Sequence, residues 1–407
     1  MLVGVVNLLN EGNLAGAEQE VRQLIADANP NVPIDALILL AEIHRQKGEF
    51  VQAVEVIHHI LNQHAAYLDN AQLCRILAFS YKSLGKYEEA EKIYRRLAAI
   101  VPEDLSSLAS VIECKIAGNL TLSLTEFDSL SAQLKDYIHE LGLDHNYKKI
   151  RAYLLARSGR IGEALEEYLP AFRESISPHK EKGEWYGLNH VLSSDSILGQ
   201  SQRFGSNLVA VDKEFAYIRK TLRLAKADSV VDVGGAGGLF AERLSKYVEK
   251  VTLTDRSPEL VAAAQNNLKS SMNINFMVSD ITSQGLGLTF DKILMSSVTP
   301  AFKSQPALQA AIHNLVSALN PGGRCLVSNN YDISSAEMSV KHAFEKAAQE
   351  PLRWLYKTMF IAENVFWIDI PLLESMIREL DVGSFKILNM RLGQDKRRMF
   401  DLLITKY

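Results

Sequence analysis

A short pattern of glycine, a hydrophobic residue and alanine recurs at a nearly constant spacing through the first 170 residues of the chain. The glycines are Gly12, Gly48, Gly85, Gly118 and Gly159, which are 36, 37, 33 and 41 residues apart. In every copy except the one at Gly118, the hydrophobic residue follows two positions after the glycine and the alanine five positions after it. A unit of this length cannot bury a core alone, so the pattern predicts a stack of similar units.

Each copy predicts two helices that meet at the glycine, because a residue without Cβ tolerates the left-handed conformation that ends a helix. Ala41 and Ala78 occupy equivalent positions where two helices pack closely, and Phe50 and Tyr87 are placed to fill the space against the next pair. Residues 1–170 resemble the tetratricopeptide-repeat family. The resemblance implies an all-α solenoid without chemistry of its own, which offers a groove for a peptide or a surface for self-association. An ordinary helical stretch with accidental spacing is the alternative.

From about residue 211 the pattern changes to strands that alternate with helices, which predicts a parallel sheet. The five predicted strands are residues 229–233, 250–255, 274–280, 290–297 and 323–330, and the end of the chain predicts two more strands joined by a polar turn. Ser257 is placed to cap the helix after the second strand, with Pro258 at its first position.

The first of these strands leads into the glycine-rich loop of the segment VVDVGGAGG, residues 230–238. Dinucleotides and S-adenosylmethionine are the two ligand classes that use a glycine loop after a first parallel strand. The dinucleotide fingerprint needs a third glycine for close packing of helix and strand. Counted from Gly234 or Gly235, that position holds Leu239 or Phe240. Neither frame completes the fingerprint.

The same loop resembles the D-x-G-x-G-x-G motif of class I S-adenosylmethionine-dependent methyltransferases, with Asp232 as its acid and Ala236 in place of the second glycine. Asp255 and Asp280 end the second and third strands, where this family places acids, and a Pro-Gly-Gly turn at residues 321–323 precedes the fifth strand. The resemblance covers about residues 206–407. It implies a Rossmann-like α/β fold with a seven-stranded sheet whose last strand is antiparallel.

The resemblance also implies which residues hold S-adenosylmethionine. They are Asp232, Gly234, Gly235, Ala236, Gly238, Asp255, Arg256, Asp280, Ile281 and Ser296. In this interpretation Asp255 accepts hydrogen bonds from both ribose hydroxyls, and Asp280 faces the adenine amino group. The structural alternatives are that Asp232 caps the loop and that Asp280 caps the turn after the third strand.

The methyl acceptor is less constrained by the sequence. The fourth strand ends in SSVTPAF, which lacks the Asn-Pro-Pro-aromatic motif of enzymes that methylate amide or nucleobase nitrogen, and no carboxylates are placed to bind a divalent metal. These exclusions leave an oxygen or amine acceptor, which could belong to a small molecule, a sugar, a peptide or a carrier-bound substrate. Tyr331 and His342, after the fifth strand, are the candidate catalytic residues, although a histidine on an amphipathic helix is often only structural.

The predicted domains are a repeat domain at residues 1–175 and a methyltransferase domain at residues 208–407. Residues 176–207 are predicted to form a linker or an active-site lid. The lid candidates are Trp185, Tyr186, His190 and Arg203.

Composition narrows the choice of partners. A formal net charge of −4 without dense runs of Lys or Arg argues against nucleic acid, and no stretch is apolar enough to span a bilayer. Cys74, Cys114 and Cys325 are too far apart in the sequence to suggest a disulfide framework or a zinc site, so we expect a cytoplasmic protein. Two hypotheses follow: a methyltransferase whose repeats recruit a substrate, a protein or a second copy, and a repeat scaffold whose methyltransferase fold has lost catalysis.

Overall fold

The computed structural model describes residues 2–28, 31–178, 180–182, 208–380, 382–392 and 397–407. The chain forms two compact units. The first contains Met1–Tyr168 together with Phe344–Lys357, and the second contains Leu169–Ala343 and Thr358–Tyr407. The segment Phe344–Lys357 follows the fifth strand of the sheet in the sequence but belongs to the same unit as the repeats. The predicted methyltransferase domain, residues 208–407, includes this segment.

The repeats consist of helices that follow one another with short turns. Their bounds are α1 Leu2–Asn10, α2 Leu14–Asp27, α3 Ile34–Gln46, α4 Phe50–Gln63, α5 Ala71–Ser83, α6 Tyr87–Ile100, α7 Leu105–Ala117, α8 Leu124–Gln133, α9 Lys135–Glu140, α10 Asp144–Arg157 and α11 Ile161–Ile176, with a 3₁₀ turn at Ala65–Asp69. The alanines of the repeated pattern are fully buried, as close helix packing requires; they are Ala17, Ala41, Ala53, Ala78, Ala90 and Ala164.

The repeated glycines occupy the turns between helices. Four of them have a left-handed backbone: Gly12 with φ 76°, Gly48 with φ 78°, Gly85 with φ 73° and Gly159 with φ 83°. The copy at Gly118 differs, because that glycine has φ −82° and the next residue, Asn119, takes the left-handed conformation with φ 53°. Asparagine tolerates this conformation better than most residues, so a turn forms there as well.

An aromatic cluster lies within the first unit, where helix α10, helix α11 and the segment Phe344–Lys357 meet. Tyr168 lies 5.3 Å from Phe344 between ring centroids, and Tyr153 lies 5.8 Å from Tyr168 and 6.1 Å from Phe344. All three rings are almost completely buried. Contacts of this kind contribute about 0.5–1.5 kcal/mol each beyond the apolar area that they bury. The segment is therefore a part of the core of the repeat unit.

The second unit is built on a seven-stranded sheet in the order β3-β2-β1-β4-β5-β7-β6. Its strands are β1 Ser229–Val233, β2 Lys250–Asp255, β3 Ile274–Val278, β4 Phe290–Ser296, β5 Leu319–Tyr331, β6 Ser384–Leu392 and β7 Arg398–Thr405. Strands β1 to β5 pair in parallel, and β7 runs antiparallel between β5 and β6. This order and the antiparallel last strand confirm the predicted fold class.

Helices cover both faces of this sheet. They are α12 Leu208–Leu222, α13 Leu239–Leu244, α14 Pro258–Asn267, α15 Gln305–Ser317 and α18 Ile370–Arg378. Two further helices, α16 Ala336–Lys346 and α17 Leu352–Asn364, each have residues in both units. Val230 and Val231 of β1 belong to two separate hydrophobic clusters, one on each face of the sheet. Burial on both faces explains the nearly continuous hydrophobic runs of the central strands.

Candidate functional site

A pocket lies at the carboxyl ends of β1 to β4, which is where open parallel sheets bind ligands. It is lined by nine of the ten residues that the sequence predicted for the cofactor: Asp232, Gly234, Gly235, Ala236, Asp255, Arg256, Asp280, Ile281 and Ser296. The tenth, Gly238, is absent from this lining and instead precedes α13, with φ 91°. A Cβ there would lie 2.5 Å from Cδ1 of Leu268, so this glycine permits close packing of the helix.

The glycine loop is held tightly against β2. The amide nitrogens of Gly234 and Gly235 donate hydrogen bonds of 2.7 and 3.0 Å to the carbonyl oxygen of Thr254. Gly234 has φ 69°, and a Cβ on it would lie 2.4 Å from Cγ2 of Val298, on the opposite wall of the pocket. At this position glycine is required by its conformation and by the space around it.

Ala236 is the residue that departs from the methyltransferase motif. It has φ 45°, in the left-handed region where an L-residue with a Cβ is disfavoured by roughly 1–2 kcal/mol. Its amide nitrogen donates a hydrogen bond of 3.1 Å to Oδ2 of Asp255. This bond to a buried carboxylate compensates for part of the backbone strain, so the loop keeps its shape with alanine in place of glycine.

Asp255 connects the loop after β1 to the helix after β2. Its Oδ2 accepts from Ala236, and its Oδ1 accepts a bond of 3.0 Å from the amide nitrogen of Ser257. Burial raises the pKa of this carboxyl above its usual value, and the N–H groups of Ser257 and Ala236 oppose that rise. A carboxylate offers about four lone-pair positions, so each oxygen retains an acceptor site beyond these two bonds. Ser257 caps α14 as predicted, through Oγ to the amide nitrogen of Leu260 at 3.3 Å.

Asp232 is the most unusual group of the site. Its side chain lines the pocket with only 2% exposure, and among the described residues its Oδ2 has no hydrogen-bond partner. Burial raises the pKa of this carboxyl to about 7; an N–H from Ala241 opposes that rise, and the nearby carboxylate of Asp255 adds to it. A buried carboxylate oxygen without a partner is costly, so a donor or cation in the pocket would stabilise it.

Asp280 caps the turn after β3, which was the structural alternative for this residue. Its Oδ1 accepts hydrogen bonds from the amide nitrogen of Thr282 at 2.9 Å and from the hydroxyl of the same residue at 2.7 Å. The carbonyl oxygen of Ile281 accepts a bond of 2.8 Å from the side chain of Asn314. Both residues line the pocket. Capping and ligand binding are therefore compatible at this position.

The sequence did not identify one wall of the pocket, which follows β4. Ser297, Val298, Ala301 and Phe302 line the pocket there, and Ser279 and Thr282 do so after β3. Ser297 has φ 61°, which no sequence pattern for a serine would have predicted. From the sequence alone, the segment SSVTPAF argues only against certain classes of methyl acceptor. Its place at the carboxyl end of a central strand was the signal that could have identified these residues.

The two candidate catalytic residues do not belong to the lining of this pocket. The ring of Tyr331 packs 5.6 Å from that of Trp367, and the guanidinium of Arg397 lies 4.7 Å from the centroid of the tyrosine ring. His342 is a half-buried residue of α16. The lid candidates Trp185, Tyr186, His190 and Arg203 fall outside the described residues.

Among the residues that the structure describes, no group of three or more His, Cys, Asp or Glu side chains is arranged to hold a metal ion. None of the helices in the same part of the chain is long and apolar enough to cross a membrane.

Comparisons with known proteins agree with the two parts of the chain. Residues 206–344 match the family model of Nodulation protein S (NodS), and residues 36–70 and 73–107 match that of the tetratricopeptide repeat. Nodulation protein S of Sinorhizobium fredii is 27% identical over 143 residues, which cover 35% of this chain and 66% of that protein. The ubiquinone biosynthesis O-methyltransferase of Coxiella burnetii is 33% identical over 115 residues, covering 28% of this chain and 47% of that protein.

A solved structure of N-methyltransferase NodS from Bradyrhizobium japonicum in complex with S-adenosyl-L-homocysteine is 17% identical, with a TM-score of 0.40, and covers 54% of this chain and 96% of that one. The chain spans less than two thirds of the length of the curated relatives named above. The family models and the sheet order together confirm that tetratricopeptide repeats precede a domain of the class I methyltransferase fold in this chain.

Proposed function

We propose that the chain binds S-adenosylmethionine at the carboxyl ends of β1 to β4 and transfers its methyl group to an oxygen or amine acceptor. The acceptor belongs to a small molecule, a sugar, a peptide or a carrier-bound substrate. The matches to Nodulation protein S and to an O-methyltransferase support this proposal. The observation that carries it is the pocket itself, in which a buried carboxylate oxygen of Asp232 has no partner among the described residues and faces a loop of bare backbone.

The residues of the pocket fit the chemical groups of this cofactor. Asp255 has acceptor positions for the two ribose hydroxyls, and Asp280 and Ile281 line the part of the pocket after β3 that would hold the adenine. Asp232 supplies a negative charge for the ammonium group of the methionine moiety. The conformation of Gly234 and the small side chain of Ala236 keep the loop free of bulk, so that its backbone approaches the ligand.

The bound cofactor would supply an electrophilic methyl group on a sulfonium ion. The protein then needs to hold donor and acceptor in line and to keep water out. Val298, Ala301 and Phe302 form an apolar wall that serves this purpose. A base is required only for an acceptor that must lose a proton. The absence of Tyr331 and His342 from the pocket lining is compatible with such a sparse mechanism.

We propose that the repeats recruit a protein, a carrier-bound substrate or a second copy of the chain, and that nucleic acid and membranes are not partners. A non-catalytic scaffold is the alternative function. The carboxylates of Asp232 and Asp255 and the glycine loop favour the active enzyme, because a scaffold has no use for a buried carboxylate without a partner.

The pH dependence of ligand binding tests this proposal. Because the pKa of Asp232 is about 7, its carboxylate is mostly protonated at pH 6 and mostly ionised at pH 8. We expect S-adenosylhomocysteine, which carries the same ammonium group, to bind about tenfold more tightly at pH 8 than at pH 6. Between pH 4 and 7 the same group should lower the free energy of unfolding of the ligand-free protein as the pH rises, because the folded state retains a proton that the unfolded state has lost.

Asp232→Asn is the matched control, since asparagine has the shape of the acid and no charge. Calorimetric titration of this variant should show weaker binding at pH 8 than the wild type shows. Any pH dependence that remains in the variant comes from other groups, including those of the ligand, and is subtracted from the pH dependence of the wild type. If the wild type and the variant change in the same way between pH 6 and 8, Asp232 does not bind the ammonium group.

A further inference from the structure

Strand β5 pairs irregularly with β7 close to its carboxyl end, and the side chain of Asn330 fills that irregularity. The register between the two strands shifts between Val327 and Asn330. Asn330 is only 1% exposed, and its Nδ2 donates hydrogen bonds to the carbonyl oxygens of Val327 at 2.9 Å and of Phe400 at 3.1 Å. The side chain therefore satisfies two backbone acceptors where the ladder of the sheet is interrupted.

The oxygen of the same side chain holds the turn that follows β4. Oδ1 of Asn330 accepts a hydrogen bond of 2.8 Å from the hydroxyl of Thr299, which is also 1% exposed. Thr299 begins the 3₁₀ turn Thr299–Ala301. Because both N–H groups of the carboxamide bond to carbonyl oxygens, its orientation is fixed, and its oxygen can only face the turn. The turn is thus fastened to β5 by one buried hydrogen bond between side chains.

This turn carries the apolar wall of the pocket. Val298 and Ala301, which flank and end the stretch around Thr299, both line the pocket. A Cβ built on Gly234 would clash with Cγ2 of Val298, so the wall lies directly against the backbone of the glycine loop. The position of Thr299 therefore sets the distance between the wall and the loop.

We propose that Thr299 and Asn330 form a positioning pair, which sets the width of the pocket at the end that holds the methionine moiety of the cofactor. This inference rests on the proposed function, in which the glycine loop faces that moiety. Val298 lies opposite Gly234 of this loop, so the wall and the loop would enclose the moiety between them. Neither residue of the pair touches the ligand in this proposal, and both act through the wall.

Small displacements of the wall are expected to matter for binding. Dispersion contacts are short-ranged, and a gap of about 0.5–1 Å already forfeits about a quarter to a half of their attraction. The position of the methionine moiety also fixes the direction of the methyl group on its sulfur, and transfer requires that direction to point at the acceptor. A buried hydrogen bond that holds the wall in place therefore supports both affinity and alignment.

Thr299→Val tests the pair, because valine keeps the shape of threonine but leaves Oδ1 of Asn330 buried without its donor. We expect the dissociation constant for S-adenosylhomocysteine to rise about five- to tenfold in calorimetric titration. Thr299→Ser restores the hydroxyl and should bind within about twofold of the wild type.

A second ligand separates positioning from a general loss of folding. 5′-Methylthioadenosine contains the adenosine and the sulfur of the cofactor but lacks the amino acid part, and its affinity is measured by displacement of S-adenosylhomocysteine. Because the wall faces the methionine end, we expect Thr299→Val to change the affinity for this ligand by less than about twofold. A loss of folded protein would weaken both ligands to the same degree.

Ser335→Ala is the matched control. Ser335 is fully buried in the same unit, and its Oγ donates a hydrogen bond of 2.8 Å to the carbonyl oxygen of Asp332, but it is not among the residues that line the pocket. This variant should lose thermal stability and keep both affinities. Thermal melting checks that each variant is folded, and Thr299→Ala replaces Thr299→Val if the latter is not.

Three results would refute the positioning pair and leave the proposed function intact. They are an unchanged affinity of Thr299→Val for S-adenosylhomocysteine, an equal loss for both ligands, and the same loss of affinity in Ser335→Ala. If the wild-type chain does not bind S-adenosylhomocysteine, the proposed function itself fails.

Discussion

Substitution of Gly234 by valine is expected to abolish cofactor binding while the protein remains folded. The new Cβ would lie 2.4 Å from Cγ2 of Val298, and the residue would have to adopt φ 69°, which a β-branched side chain tolerates poorly. The loop and the opposite wall of the pocket must then move apart or collapse onto each other. We expect the dissociation constant for S-adenosylhomocysteine to rise more than about 100-fold in calorimetric titration, equivalent to about 3 kcal/mol.

Gly287→Val separates backbone strain from loss of the pocket. Gly287 has φ 64°, belongs to the same unit and has no atom within 4 Å of a built Cβ, so the variant carries a similar strain without a clash. It should lose some thermal stability, less than Gly234→Val does because it lacks the clash, and it should keep its affinity for the ligand. Full binding by Gly234→Val would mean that the loop does not contact the ligand.

A fragment of residues 180–407 is expected not to fold, although its sequence contains every strand of the sheet. The segment Phe344–Lys357 belongs to the repeat unit, and its Phe344 packs against Tyr168 there. Leu352 and Leu355 of the same segment are also buried. Removal of the repeats would expose them, at a cost of about 1.5–3 kcal/mol for each side chain. We expect aggregation, or no cooperative thermal transition, when the fragment is followed by circular dichroism.

The same fragment with Phe344→Ser, Leu352→Ser and Leu355→Gln tests the reason for this failure. If exposure of the segment is the cause, the substituted fragment should become soluble and should bind S-adenosylhomocysteine. In the full chain the same three substitutions should lower the melting temperature. Cooperative folding of the unsubstituted fragment would show that the two parts of the chain are independent modules.

Local patterns in the sequence were sufficient for most of the fold and for much of the lining of the pocket at the carboxyl ends of β1 to β4. Alternation of buried strands with helices predicted the parallel sheet, and acids at the ends of β2 and β3 were correctly expected at the same edge of it. These predictions succeed because the carboxyl ends of parallel strands meet whatever the details of packing are. The turns at Gly48 and Gly85 were predictable for a similar reason, since few other residues adopt those angles.

Features that depend on contacts between distant residues were not predictable. Nothing in the sequence around Phe344 indicates that it packs against Tyr153 and Tyr168. The hydrogen bond between Asn329 and Glu214 joins residues 115 positions apart, and Asn329 has a left-handed backbone that is uncommon for residues other than glycine. The sequence favours Tyr331 as a catalytic residue because it directly follows the predicted fifth strand, residues 323–330. The packing of its ring against Trp367 is a tertiary contact that no local pattern reveals.

Calorimetric titration of the full chain with S-adenosylmethionine and, separately, with NAD tests the central claim most directly. A glycine loop after the first parallel strand is used by proteins that bind either ligand. In the dinucleotide fingerprint, however, the position of the third glycine holds Leu239 or Phe240 in this chain, and both side chains line the pocket. We expect S-adenosylmethionine to bind with a dissociation constant well below about 1 mM, and NAD not to bind at that concentration. No binding of S-adenosylmethionine at millimolar concentration, or tighter binding of NAD, would contradict the assignment of this pocket.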